Sequence, residues 1–357
     1  MKWTLLVPGA LLPARLAADL LQAVPEAQMP QGLVGARSEG DCLADCEAPH
    51  WGWLARAFGL APRPLVTAPY VWAQNAAQGR SAPGTWIAHC DLLHLALARD
   101  HLVAAGLGDA PVNELESRQL LDAARATVQG SRFRIETSGR YWFLMADADS
   151  VPDLQTLPLD AVLGQSLQER TPAGADARGW RVLENEIQMR WHASEVNVAR
   201  EERGARTANA VWVHGAGTWQ PVPNRPFARW LAEEDSLEAR VLAGWTHAAQ
   251  QGSVPSDVVS ICRTLLPAFQ SQAWESWIGL LPSVETQLQQ ELELAGRQGA
   301  AEFDLVLTGV HSARSFAIPR KSGRFRWPWN GRRDGRRALL DNLAETRWYE
   351  AREPRHA

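Results

Sequence analysis

The chain has 357 residues, 46% hydrophobic and 21% charged, with a formal net charge of −4. This composition excludes a disordered or collagen-like polymer and suffices for one large domain or two closely associated ones. Four cysteines in this length exclude a disulfide framework, and Pro8, Pro13, Arg15 and Asp19 interrupt the apolar N-terminal segment too early for a signal peptide or membrane span. A cytoplasmic location without membrane insertion is therefore expected.

In chain order, the pattern predicts a strand at Trp3–Val7, a helix over Pro13–Val24, an irregular acidic loop through Glu47, a helix near 51–59 and a strand near Leu65–Tyr70. Then come a strand around Trp86–His89, a helix over about Ser117–Gln129 with Leu120, Leu121 and Ala124 inward, and a hairpin at Thr137-Ser138-Gly139. Ser150–Gly179, rich in Pro, Gly and Ala, reads as a mobile connection. A helix over Phe227–Thr246 and a strand over Phe303–Thr308 complete the reading. The expected division is an α/β body in two parts, 1–83 and 221–357, around an α+β insert, 84–220. Most of the seventeen tryptophans are expected as core fillers whose indole N–H finds a carbonyl.

The stretch Glu184–Trp219 has polar residues spaced as a site. A helix over about Arg181–Ala193 buries Leu183, Ile187 and Trp191 and turns His192 to its other side. Asn197 is expected to cap a short helix carrying Arg200 and Arg203 on one side and ending at Gly204. The run Asn209–His214 reads as a buried strand, after which Gly215 and Gly217 let backbone amides approach a ligand. His192, Asn197, Arg200, Arg203 and Asn209 are thus expected to border one anion pocket near His214 and Gly215. The alternative is that the arginines form a solvated face and Gly-Ala-Gly only a turn.

HASEVNVAREERGARTANAVWVHGAG, with His192, Val196, Asn197, Arg200, Gly204, Ala208, Asn209, Trp212, Gly215 and Gly217 in matching places, resembles a segment of the archaeal-type cofactor-independent phosphoglycerate mutases and, more closely, of the bacterial RpfE-type proteins. TWIAHCDLLHL resembles a second RpfE-type segment through Asp91 and His94, and RFRIETSGRYWFLM a third, which brings in Arg140. The resemblance implies an alkaline-phosphatase-like wound sheet with an α+β insert. It also implies phosphoryl transfer through a hydroxyl nucleophile beside two metals held by Asp and His, a chemistry for which the carboxylates are indispensable.

Three positions depart from that pattern. The first strand ends in Pro8-Gly9, Ala48-Pro49 precedes the helix that would follow a nucleophile, and the late strand ends in Gly309-Val310-His311. The reading is therefore a degenerate mutase-like protein with no metal or other cofactor that binds a small anionic metabolite, phosphorylated or carboxylated, in a regulatory role. One alternative is an active mutase or phosphohydrolase using Mn or Mg, with ligands among Asp91, His94, Asp147, Asp149, Asp257 and His311. A second is a nucleic-acid or protein interaction module built on Arg320–Arg337, which holds eight basic residues and one acid. For that tail, a solvated segment folding back on the body is favoured. Cys42, Cys46 and His50 form a Cys-x3-Cys-x3-His run, but Pro49 and the lack of a fourth ligand argue against a closed zinc site. The oligomeric state is not legible.

Overall fold

The computed structural model describes residues 1–24, 38–42, 48–74, 84–98, 101–108, 110–168, 170–250, 255–321, 324–325 and 342–344. In chain order the first elements are β1 (Lys2–Val7), α1 (Ala14–Gln22), β2 (Ser38–Cys42), α2 (Pro49–Ala57), α3 (Ala68–Trp72), β3 (Trp86–Ala98), β4 (His101–Ala105), α4 (Glu114–Val128), β5 (Arg134–Ser138) and β6 (Tyr141–Ala146). They are followed by α5 (Ala177–His192), α6 (Glu195–Glu202), β7 (Ala210–Thr218), β8 (Phe227–Leu231), α7 (Leu237–Ala248), β9 (Asp257–Ile261), α8 (Leu266–Gln270), α9 (Trp274–Arg297), β10 (Glu302–Thr308) and β11 (Ala313–Ile318). Among the described residues, no helix is long and apolar enough to cross a membrane.

Two compact units share the chain. The first comprises Met1–Pro62, Pro223–Leu242 and Ala249–Ala357, and the second Arg63–Val222 with Ala243–Ala248. The first unit is built on a six-stranded sheet of order β2-β11-β10-β1-β9-β8. β8, β9, β1 and β10 run parallel, whereas β11 runs antiparallel to both of its neighbours, β10 and β2. β1 and β10 read as nearly continuous apolar runs, as parallel strands covered on both faces must. The long helix α9 buries Trp277, Leu281, Val284, Leu288, Leu292 and Ala295, a helical repeat of threes and fours, in one cluster with Trp3, Leu5, Val7 and Phe303.

The second unit is an antiparallel sheet, β4-β3-β6-β5 with β7 also paired to β3. One face packs against α4 and α5 through Trp86, Ala88, Cys90, Val211 and Val213. α4 starts in a capping box in which Asn113 accepts from the Glu116 N–H and Glu116 accepts from the Asn113 N–H, satisfying two amides the helix leaves free. The α/β body with an α+β insert expected from the pattern is the observed architecture.

Several elements differ from expectation. Residues 68–72 are helical rather than extended, and 227–246 split into β8 and α7, with Ser236 capping the helix. β3 runs on to Ala98 instead of ending at His89. The expected mobile connection 150–179 includes Val162, which is fully buried beside Leu157, Leu159, Leu163 and Leu167 in a cluster with Trp212. Some buried tryptophans find carbonyls, whereas Trp3 donates to the Glu291 carboxylate at 2.8 Å and Trp142 to the Ser117 hydroxyl at 3.3 Å. Trp191, Trp212 and Trp277 donate to the carbonyls of Leu120, Leu157 and Gly9 at 2.9, 3.0 and 2.8 Å.

Cys46 and most of Arg320–Arg337, including Trp327 and Trp329, lie outside the described residues. The tail's described beginning does fold back. Phe325 is buried against Phe303 at 5.6 Å between ring centroids, and Arg320 donates to the Ala300 carbonyl at 2.9 Å.

Candidate functional site

The expected anion pocket is not assembled from the arginine pair. Ser194, not Asn197, caps α6, accepting from the Asn197 N–H at 3.3 Å. Asn197 sits inside the helix, buried, and its amide joins three backbone groups: it donates to the carbonyls of Trp191 and Ala208 and accepts from the Ala208 N–H, each at 2.9 Å. Arg200 is fully buried and donates to the Arg206 carbonyl at 2.7 Å, to Glu116 at 2.9 Å and to the Ala110 carbonyl. Arg203 closes on the other oxygen of the same carboxylate. Burial alone would raise the Glu116 carboxyl. The Arg203 and Asn113 hydrogen bonds, with the charges of Arg200 and Arg203, outweigh it and hold the group below its ordinary value. These residues tie α6 to the start of α4. A guanidinium taken wholly from water needs a fixed counter-charge, and Glu116 supplies it.

Four further expected site residues do not converge on one pocket with the arginines. Asn209 extends the β7 side of the sheet, accepting from the Leu95 N–H at 2.6 Å and donating to the Leu95 carbonyl at 3.1 Å. His94 bonds through Nδ1 to the Thr207 carbonyl at 2.9 Å. His192 is exposed at the C-terminus of α5, and Arg140 is exposed in the β5–β6 turn over the Tyr141 ring.

Asp91, His214, Gly215 and Gly217 do come together, on the sheet face opposite α4 and α5. His89 stands directly across from His214 in the β3–β7 register, and a bulge in that pairing lies between Ile87 and His89. There Gly215 takes φ +62°. A Cβ on it would fall 2.1 Å from Thr67 Oγ1 and 3.0 Å from His89 Cδ2, so only glycine fits. A Cβ on Gly217 would lie 2.8 Å from both Val66 methyls. Thr67 fastens the segment by donating its N–H to the Gly215 carbonyl at 2.9 Å.

His214 Nε2 lies 2.6 Å from Asp91 Oδ2, with 3% of the histidine side chain and 43% of the aspartate side chain exposed. The His89 ring lies against His214 at 5.0 Å and against Phe143 at 5.4 Å. Because the carboxylate accepts from Nε2–H, it selects the tautomer whose lone pair is on Nδ1, and among the described residues nothing hydrogen-bonds to that nitrogen. The arrangement therefore offers a half-exposed carboxylate, an oriented imidazole and a glycine-lined strand. His89 and Thr67 were not anticipated. Strand alternation places His89 on the same face as Asp91, a signal hidden by ending the expected strand at His89.

The carboxyl end of the first unit's sheet is the usual ligand edge of a parallel sheet. Val7 and Leu307 are register partners, so Pro8-Gly9 and Gly309-Val310-His311 emerge there from adjacent strands, with no strand-end carboxylate on either. Gly9, at φ +74°, is packed so that a Cβ would lie 3.0 Å from that of Phe269, and its carbonyl holds the Trp277 indole. Just past β9, Arg263 donates to the fully buried Glu238 at 2.9 Å, and His50 lies 4.0 Å from that carboxylate. The donor set at the ends of β1 and β10 does not fit a two-metal centre of the mutase kind. The other residues considered as ligands are divided between the two units, Asp257 and His311 in the first and Asp91, His94, Asp147 and Asp149 in the second. Asp257 begins β9, at the amino end of the sheet, whereas His311 follows the carboxyl end of β10. Asp147 pairs with Arg134 at 2.5 Å in the second unit.

No protein-family model matches the chain. In sequence it is 26% identical over 162 residues to a probable 2,3-bisphosphoglycerate-independent phosphoglycerate mutase of Geobacter sulfurreducens, a match spanning 45% of this chain and 40% of that relative. Two solved structures align over most of their length: a cofactor-independent phosphoglycerate mutase of Thermoplasma acidophilum (12% identity, TM-score 0.34, 91% of this chain and 90% of that one) and a protein of Pyrococcus horikoshii (11%, 0.43, 96% and 93%). The sequence match agrees with the phosphoglycerate-mutase-like resemblance read from the chain.

Proposed function

We propose that this protein is a phosphoglycerate-mutase-like binder of a small hydroxylated, phosphorylated or carboxylated metabolite that does not carry out two-metal phosphoryl transfer and serves a regulatory role. The observation that carries the reading is the pair of adjacent strand ends, Pro8-Gly9 and Gly309-Val310-His311, which lack the carboxylates such transfer requires. Arg200 and Arg203 are committed to Glu116, so the recognition groups are Asp91, His214 and the backbone around Gly215 and Gly217. A half-exposed carboxylate repels an acidic group but accepts from a hydroxyl, which is why a hydroxylated acid is favoured over a bare anion.

The test is an assay for interconversion of 3- and 2-phosphoglycerate with and without Mn²⁺, beside a thermal-shift screen of both compounds. No turnover is expected. A melting-temperature rise is expected with at least one of the two, abolished by Asp91→Asn and by His214→Ala. Mn²⁺-dependent turnover lost on chelation would establish the active-enzyme alternative instead.

A further inference from the structure

The buried stripe of α5 consists of Trp180, Ile187 and Trp191, all with 0% exposure, at the spacing that keeps residues on one helix face. Glu184 occupies the remaining place in that stripe, four residues after Trp180 and three before Ile187. It is half-buried, and no hydrogen bond or ion pair reaches its carboxylate from any described residue. The helix face that carries it packs against β7 and α4, and the apolar cluster formed there joins Trp180, Ile187 and Trp191 to Val211, Val213, Leu120, Leu121 and Ala124. From β3 the titratable neighbour is the buried Cys90 thiol, which burial pushes up, with the charges of Asp91 and Glu184 adding to the effect. The cation acting on Glu184 is Arg181, on its own helix and exposed.

We propose that Glu184 is a proton-operated latch for α5: with the carboxyl neutral the helix seats fully against the sheet, and with it ionised the seating loosens. A carboxylate in an apolar seam without a partner must either keep its proton or recover water. Burial pushes this carboxyl up to about 7, with Arg181 opposing, so the switch falls near neutrality. The sign follows from linkage. A carboxyl whose folded value is raised holds its proton more tightly in the native state, so stability is greatest in mild acid and is lost as pH climbs from about 4.3, the unfolded value, through about 7. α5 leads through α6 into β7, so the segment under control is the one continuing into the His214 strand.

Hydrogen-exchange mass spectrometry of the full chain at pH 5.5 and 8.0, corrected for intrinsic exchange rates, tests this. Protection of residues 177–192 should fall at least tenfold between the two pH values, relative to residues 114–128, and Glu184→Gln should abolish the fall. Glu184→Leu, which completes the apolar stripe, should do the same and serves if the glutamine variant folds poorly. Equal protection at both pH values in the native chain, or an unchanged fall in the folded variants, would overturn the proposal.

Discussion

Arg200 and Glu116 stand 84 positions apart in the chain, yet Nη1 of the arginine donates to Oε2 of the glutamate at 2.9 Å, with 0% and 9% of their side chains exposed. Removing one partner of such a pair leaves a buried charge unanswered. Arg200→Ala is expected to lower unfolding free energy by about 3–5 kcal/mol. Arg203, whose side chain is 46% exposed, is screened by water, and its alanine variant should cost no more than about 1 kcal/mol. Urea titrations of the two variants against the native chain measure both. A near-native Arg200→Ala would return that arginine to the list of ligand-binding candidates.

Gly215 offers a sharper test of backbone against contact. Gly215→Ala meets both a left-handed backbone and Thr67 Oγ1 at 2.1 Å, whereas Gly139→Ala meets a left-handed backbone, φ +59°, with nothing within 4 Å. The Gly139 variant should cost about 1 kcal/mol and the Gly215 variant more than about 2 kcal/mol. Thermal melts of the pair check the order. Equal losses would mean that Thr67 gives way freely and that the glycine is needed for its φ alone.

The acid side of the stability profile should belong to Glu116. Its folded value is depressed, so its contribution is complete above its unfolded value of about 4.3 and disappears as pH falls through the folded one. Glu184 works in the opposite sense at higher pH. Denaturant midpoints measured from pH 2.5 to 8 should therefore rise and then fall with increasing pH in the native chain. Glu116→Gln should lower the midpoint at pH 5 and flatten the acid limb. An acid limb as steep as the native one in that variant would assign it to other carboxyls.

Much of the architecture was legible because it is local. Trp3–Val7 and Phe303–Thr308 are apolar enough to read as buried strands, and both are strands of the parallel sheet. Leu120, Leu121 and Ala124 recur at helical spacing and are the buried face of α4. Where local preference is weak, the reading failed. Leu65–Tyr70 is β-branched and aromatic in part, but Pro69 suits the first turn of a helix and 68–72 form one. Residues 227–231 are instead drawn into the sheet as its end strand β8, parallel to β9, and Ser236 starts a separate helix.

The site divides along the same line. Strand alternation and the glycine spacing of Gly215 and Gly217 follow from the sequence alone, because period and φ are properties of adjacent residues. So does the absence of acids from Pro8-Gly9 and Gly309-Val310-His311. What Arg200 and Arg203 point at was not determined there, since a guanidinium can serve any oxyanion and only the tertiary structure decided that Glu116 takes both. The same holds for His214, which meets Asp91 because β7 pairs with β3 across 123 positions. A charged side chain is assigned its partner by long-range packing, and it is packing that closed both arginines on Glu116 and left the Asp91 carboxylate half exposed beside the buried His214.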